Sequence, residues 1–320
     1  MGQVLIEARN LKKYYHMGRK KILKAVDDVS FTINEGEIVG IVGESGCGKT
    51  TCGRTAAGLY PKDGGMVYYR GRDIHKMHGS EKKDFCRRVQ TVFQDPYASL
   101  DGKINVLDLI AEGIDIHHMA ENRAQRREMV MELMEQVGLH PSDISRYPHE
   151  FSGGMRQRIG IARALAVKPE FLLCDEPISA LDVSIQAQVM NLLLDLRERR
   201  GLTYLIISHD LSMMKYVADR IFVMYLGKIV ESCPAEELYR NPLHPYTKAL
   251  ISAIPIPDPE IEQKRQRIVL HGQVPSPVNP PAGCRFAGRC PYASDICNEM
   301  EPELKEYGIG HFAACHRIVE

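Results

Sequence analysis

Two short segments about a hundred residues apart carry side chains suited to phosphate chemistry, Gly43–Thr50 (GESGCGKT) and Phe151–Arg158 (FSGGMRQR). The first fits the pattern G-x-x-x-x-G-K-[ST]. Its glycines let a backbone turn close round an anion with bare N–H groups, Lys49 can neutralise the β- and γ-phosphates, and Thr50 offers a hydroxyl to Mg²⁺. Gly43, Glu44, Ser45, Gly46, Cys47, Gly48, Lys49, Thr50 and Thr51 are the candidate nucleotide ligands. In the second segment Ser152, Gly153 and Gly154 open a helix, presenting a hydroxyl and unpaired amides at a positive dipole end. Four further polar residues follow strand-like runs: Gln94, Asp175, Glu176 and His209.

Chemistry at these positions requires strands and turns to deliver them. Glu37–Val42 is an apolar run of the kind that makes a buried parallel strand. It leads straight into the glycines, and Lys49–Leu59 reads as a helix, so strand, Gly-rich turn and helix follow in the order the motif needs. A Gly/Ser-rich surface turn would lack that flanking pattern. Phe171–Cys174 is a second buried-strand pattern, ending on Asp175 and Glu176; Leu205–His209 is a third, and Val89–Phe93 precedes Gln94. A carboxylate at a strand end can hold Mg²⁺ through water, and a glutamate one position on can polarise a water. An isolated Asp-Glu pair or a lone histidine would instead read as solvated surface.

Taken together these segments resemble the ATP-binding cassette (ABC) family. The resemblance implies a mixed α/β P-loop NTPase cassette, with a RecA-like sheet, an antiparallel β subdomain and a helical subdomain. It also implies that two cassettes stack head to tail, each supplying its Ser-Gly-Gly element to the ATP on the other's loop. On the matching positions it assigns Thr50, Gln94 and Asp175 to Mg²⁺, Glu176 as general base and His209 to the γ-phosphate across the interface. Ser152, Gly153 and Gly154 go to the partner's ATP, and Ser179–Asp182 to the loop crossing the dimer interface. Asp95–Leu100 matches the segment that docks on a membrane partner, and the pattern N-L-x-K-x-Y selects Tyr15 over Tyr14 to stack on adenine. The family's L-S-G-G-Q reads F-S-G-G-M here, so Met155 stands for a glutamine near the nucleotide.

Composition is compatible with this reading. The 320 residues carry 41 basic and 41 acidic side chains, which argues against a nucleic-acid partner held by bulk basicity. No apolar run approaches the roughly 18 residues needed to span a bilayer. The start has no charged region followed by a long apolar stretch, so secretion is not expected. Val29, Phe31 and Ile33 alternate with polar residues as a half-buried strand would, and Met66–Arg70 follows a Gly-Gly turn as another. Met129, Val130, Leu133, Met134 and Val137 recur at helical spacing inside Asn105–Val137. That stretch belongs to a helical subdomain at about 95–160, and Val183–Arg200 is a further helix.

The cassette pattern covers residues 1–240; an extension occupies 241–320. Asn241–Lys248 (NPLHPYTK) leads into a short helix, then a linker dense in proline and charge, and the run Pro275–Pro281 excludes helix or central strand. This tail resembles the C-terminal extension of ATPase subunits in oligopeptide and dipeptide importers, a subfamily whose members also carry nickel, glutathione or oligosaccharides. The resemblance implies a second, related but different cassette subunit, two transmembrane permeases, an extracytoplasmic binding protein acting indirectly, and a peripheral place on the cytoplasmic membrane face. Cys284, Cys290, Cys297 and Cys315 are spaced C-x5-C-x6-C-x17-C among turn-forming glycines and a proline. Disulfides are disfavoured in the cytosol. A [4Fe–4S] cluster, a structural zinc and unliganded thiols remain the readings, and the subfamily resemblance favours the cluster.

Overall fold

The structure is a computed structural model that describes residues 2–18, 20–255, 258, 267–270, 272 and 275–318. Much of the proline- and charge-rich linker expected between Ser252 and Pro275 lies outside them. The strands are β1 Val4–His16, β2 Ile22–Asn34, β3 Ile38–Val42, β4 Gly64–Tyr69, β5 Arg72–Asp73, β6 Val89–Val92, β7 Phe171–Asp175, β8 Thr203–Ile207, β9 Arg220–Tyr225, β10 Lys228–Pro234, β11 Lys305–Gly308 and β12 His311–Ala313. The helices are α1 Lys49–Ala56, α2 Gly79–Arg88, α3 Val106–Ile116, α4 Arg123–Gln136, α5 Gly153–Leu165, α6 Val183–Arg200, α7 Leu211–Val217, α8 Ala235–Arg240, α9 Pro245–Ser252 and α10 Asp295–Glu299. They gather into two compact units. A helical unit holds Met1–Ile6, Ile33–Glu37 and Tyr68–Ile207; a phosphate-loop unit holds Glu7–Thr32, Ile38–Val67 and Ser208–Glu320.

In the phosphate-loop unit the strands run in the order β11-β12-β10-β9-β3. All five residues of β3 (IVGIV) are buried, as a strand covered on both faces requires, and it pairs in parallel with β9 from Val39↔Arg220 to Val42↔Val223. The remaining pairs are antiparallel, with a bulge in β10 between Ile229 and Glu231. The alternation in β2 holds: Val29, Phe31 and Ile33 are buried while Asp28 and Ser30 face outward. Phe31 packs its ring 5.4 Å from that of Phe222. Helix α1 stops at Ala56, three residues before the expected end. Gly58 takes φ +74°, Gly58 N–H donates to Thr55 O at 3.1 Å and Leu59 N–H to Arg54 O at 2.9 Å, a Schellman closure.

In the helical unit β8, β7 and β6 pair in parallel, with Cys174 between Val92 and Ile206. Helices α3 and α4 begin on Asn105 and Asn122, whose side chains accept from Asp108 N–H and Gln125 N–H. Of the expected apolar stripe, Val130, Leu133, Met134 and Val137 are buried and Met129 half-buried. Helix α6 spans the residues read from its periodicity and ends at Gly201, φ +65°. Strand β8 ends at Ile207, short of His209. There Asp210 N–H donates to Ser208 Oγ at 2.9 Å and the Asp210 carboxylate accepts Met213 N–H at 3.2 Å, so these groups make a turn and helix cap instead of a ladder.

Candidate nucleotide site

The Gly43–Thr50 loop depends on three left-handed glycines, of which Gly43 and Gly48 are also hemmed in. A Cβ at Gly43 (φ +150°) would lie 2.2 Å from Met224 O, and one at Gly48 (φ +106°) 2.0 Å from Ala25 O. Only glycine permits that approach with that backbone. The loop therefore lies directly against β2 and β9, and Gly227 N–H closes on Cys47 O at 2.7 Å. Ser45 and Gly46 form the exposed crest, while Cys47 is buried, which pushes its thiol pKa up. Lys49 is only 5% exposed and donates from Nζ to Gly43 O at 2.8 Å and Glu44 O at 3.1 Å. Its ammonium is thus held over the loop it opens, and Thr50 and Thr51 follow on the first turn of α1.

The adjacent tyrosines differ in surroundings. Tyr14 donates its hydroxyl to Asp27, and its N–H goes to Asp63 Oδ2 at 2.6 Å. Tyr15 keeps 39% of its surface exposed, with Lys13 Nζ 5.3 Å from its ring centroid. Of the two, Tyr15 is the more exposed. Asp27 is itself a buried hub. Burial alone would raise its pKa, but the bonds from Tyr14 and Lys24 and the charge of Arg285 outweigh it and hold the carboxyl near about 2. His209 is exposed, in the turn that leads into α7.

In the helical unit, Asp175 is fully buried at the end of β7 and Glu176 follows with φ +47°. Such a left-handed glutamate persists only where neighbours over-determine it. Here its N–H donates to Ile207 O at 3.0 Å, and its own carbonyl accepts Ser179 Oγ at 3.1 Å. Gln94 Nε2 donates to Glu176 Oε2 at 2.8 Å, joining two residues that are 82 apart in sequence. Ser152 caps α5, its Oγ accepting Met155 N–H at 3.4 Å, so the Met155 side chain is not needed for the cap. A Cβ on Gly154 would come within 2.5 Å of Ile185 Cγ2, so α5 lies close against α6 at this point. Two arginines of α5 hold the Asp95–Leu100 segment: Arg163 donates to Ser99 O at 2.8 Å, and the Arg156 guanidinium lies 4.0 Å from the centre of the Tyr97 ring.

The tail of the phosphate-loop unit is organised on Glu231, which is fully buried in β10. Its carboxylate accepts Leu243 N–H and His244 N–H, each at 2.8 Å, and meets His311 Nε2 at 2.8 Å. Cys233 completes a buried trio with Glu231 and His311 whose donor atoms lie within 4.8 Å of one another. Both carboxylate oxygens are already engaged, so we read the trio as a structural pin rather than an ion site. His244 caps α9 by accepting Tyr246 N–H at Nδ1, 3.1 Å, and its burial pushes the imidazole down to about 4. Tyr246 then reaches the phosphate loop, its hydroxyl accepting Glu44 N–H at 2.8 Å. This contact bridges 202 residues, and no local sequence signal points to it.

The four tail cysteines lie close enough to perturb one another. Burial raises the Cys284 thiol to about 11 and also raises those of Cys290 and Cys315, with the neighbouring sulfurs adding to the effect. Backbone N–H groups of Phe286, Tyr292 and Arg317 oppose it by favouring the thiolates of Cys284, Cys290 and Cys315. Cys284 N–H donates to Cys297 O at 2.7 Å, clipping two of the cysteine-bearing turns together.

Residues 26–179 match the family model described as ABC transporter, and residues 230–297 that described as oligopeptide/dipeptide transporter, C-terminal region. YkfD of Bacillus subtilis (strain 168) is 56% identical over 312 residues, covering 98% of this chain and 95% of that protein. The oligopeptide transport ATP-binding protein AppF of the same organism is 51% identical over 321 residues, covering 98% and 97%. Among solved structures, the ATP-binding cassette MJ0796, a dimer bound to ADP and Pi in a post-hydrolysis state, superposes with a TM-score of 0.66 at 29% identity. That match covers 72% of this chain and 99% of the other.

Proposed function

This chain belongs to the ABC transporter family as one of its ATP-hydrolysing cassettes, and from that premise we propose that it is the motor of an importer of oligopeptides or dipeptides. The observation that carries the peptide reading is the tail. Residues 230–297 match the oligopeptide/dipeptide C-terminal region, and its His-Pro-Tyr segment is the one pinned to Glu231. Nickel, glutathione and oligosaccharides are the alternative cargoes of such a motor. A soluble cassette acting without a permease is the alternative of another class.

In this reading residues 1–240 form the cassette and 241–320 the importer-type extension. The chain sits peripherally on the cytoplasmic face of a membrane, with two permease subunits and a related second cassette, and a binding protein outside supplies cargo. No helix among the described residues is long and apolar enough to cross a membrane, so the permeases provide the path. The loop Gly43–Thr51 wraps the phosphates, Tyr15 stacks on adenine, and Thr50, Gln94 and Asp175 take Mg²⁺. Glu176 orients the attacking water and receives its proton, and the Gln94 amide holds its carboxylate in place. Ser152, Gly153 and Gly154 meet the γ-phosphate on the partner cassette, His209 secures the closed pair, and segment 95–100 passes the motion to a permease.

Cys284, Cys290, Cys297 and Cys315 would hold a [4Fe–4S] cluster, with zinc as the alternative. The backbone N–H groups aimed at three of the sulfurs suit bound thiolates. A cluster would supply a structural or redox-sensing clip in the tail.

Uptake of a labelled oligopeptide into proteoliposomes carrying the assembled complex tests the proposal. ATP-dependent uptake is expected, with Glu176→Gln binding ATP but losing about 10²–10⁴-fold in turnover. ATP turnover without peptide uptake would refute the cargo; normal turnover by Glu176→Gln would refute the assigned base.

A further inference from the structure

Glu44, the second residue of the phosphate loop, is held at every polar group it has. Its N–H donates to Tyr246 Oη at 2.8 Å, and its carbonyl accepts Lys49 Nζ at 3.1 Å. Its carboxylate accepts both arms of Arg289, NH1 to Oε2 at 2.8 Å and NH2 to Oε1 at 3.1 Å. A two-pronged guanidinium–carboxylate contact fixes orientation as well as distance. Both Tyr246 and Arg289 come from the C-terminal extension, 202 and 245 residues away in sequence.

The arginine is built into place. Its side chain is 9% exposed and its guanidinium lies 6.0 Å from the Tyr225 ring centroid. Tyr225 in turn packs edge-on against Tyr246 at 4.7 Å and Phe286 at 5.2 Å. Backbone turns between Cys284 and Cys290 present it: Ala287 N–H to Cys284 O, Arg289 N–H to Phe286 O and Cys290 N–H to Ala287 O, at 3.0, 3.0 and 3.2 Å. Arg285, four residues earlier, fastens the same stretch to Asp27 and Leu226 O, beside the Ala25 carbonyl on which Gly48 rests.

We propose that Arg289, together with Tyr246, is a positioning residue for ATP binding: the extension sets the phosphate loop's shape by gripping Glu44. The proposal rests on the reading of Gly43–Thr50 as the ATP loop. Lys49 leans on the Glu44 carbonyl, so tilting Glu44 displaces the ammonium that must meet the phosphates. Arg289 reaches the loop through Glu44, which makes it a positioning rather than a catalytic residue. Its loss weakens ATP capture and leaves the chemical step, which belongs to Glu176, as it was.

The test is titration of the purified full-length chain with MANT-ATP and Mg²⁺, together with ATPase kinetics of the assembled complex. Arg289→Ala should raise the Kd and the KM for ATP about tenfold, as loss of a charged two-pronged bond would, with kcat at saturating ATP within about twofold. Glu44→Ala reaches the same contact from the loop side without touching the tail and should raise Kd similarly. The double variant should be no worse than either, and Arg289→Lys should recover part of the loss. Unchanged Kd in both single variants, or losses that multiply in the double variant, would overturn the clamp. A fall in kcat with KM unchanged would overturn it too. A parent chain that failed to bind MANT-ATP would overturn the ATP-loop reading itself and the clamp with it.

Discussion

His244 makes the stability of the extension depend on pH between about 6.5 and about 4. Its ring is 1% exposed, accepts Tyr246 N–H at Nδ1, and holds its pKa at about 4, against 6.5 for an unburied imidazole, because burial penalises the cation. Glu231 opposes that shift and Lys248 adds to it, but burial dominates. Below pH 6.5 the unfolded chain takes a proton that the folded chain refuses until about pH 4. Stability is therefore complete above pH 6.5 and declines as pH falls toward 4, by about 2 kcal/mol at pH 5 and about 3 kcal/mol at the limit. His244→Asn keeps a helix-capping acceptor and removes the titrating ring; losing its packing against Phe286 costs about 1–2 kcal/mol at all pH values. Equilibrium urea unfolding followed by circular dichroism at pH 8 and pH 5 compares the two proteins, and other titrating groups cancel in the difference. The difference between parent and variant should shift by about 2 kcal/mol in the variant's favour at pH 5, closing or reversing the gap seen at pH 8. A gap of equal size at both pH values would refute the buried, neutral imidazole.

Anaerobically purified protein should contain about four irons per chain with a broad brown absorbance, both lost in Cys290→Ser, Cys297→Ser. One zinc and no colour would make the site a structural clip, and absence of metal from the parent would refute the shared ligand set. Gly154→Ala forces a methyl to within 2.5 Å of Ile185 Cγ2 and should cost about 1–3 kcal/mol of stability in a thermal melt, regained in Gly154→Ala, Ile185→Ala.

What could be read from sequence was what local pattern dictates. The unbroken apolar run of β3 and the glycines after it specify strand, turn and helix within a dozen residues, and the structure has them in that order. Helix α6 was equally legible, from its periodicity to its terminal glycine. Boundaries set by backbone hydrogen bonds were less so. The Schellman closure that ends α1 at Ala56, and the Ser208–Asp210 turn that stops β8 before His209, depend on carbonyls and hydroxyls that no periodicity records. Least legible were the long-range polar contacts. Nothing near Glu44 announces Tyr246 or Arg289, and nothing in β10 marks Glu231 as the residue that receives the His-Pro-Tyr segment. Tyr14 and Tyr15 are neighbours of one type; the family pattern selects Tyr15, but that Tyr14 is engaged by Asp27 no sequence pattern records.

The phosphate loop's bed has a consequence for how the chain is made. Lys49 is synthesised well before the groups that grip the loop, Tyr246 and Arg289, and before His311 on β12, which pins Glu231. At about 5–20 residues per second a ribosome needs roughly 13–50 s to travel from Lys49 to β12. For most of that interval Glu44 lacks its arginine, and Glu231, once made, lacks its histidine until β12 follows. A nascent chain therefore carries the motif well before it carries the residues of the extension that grip it, and in this reading ATP capture waits for them.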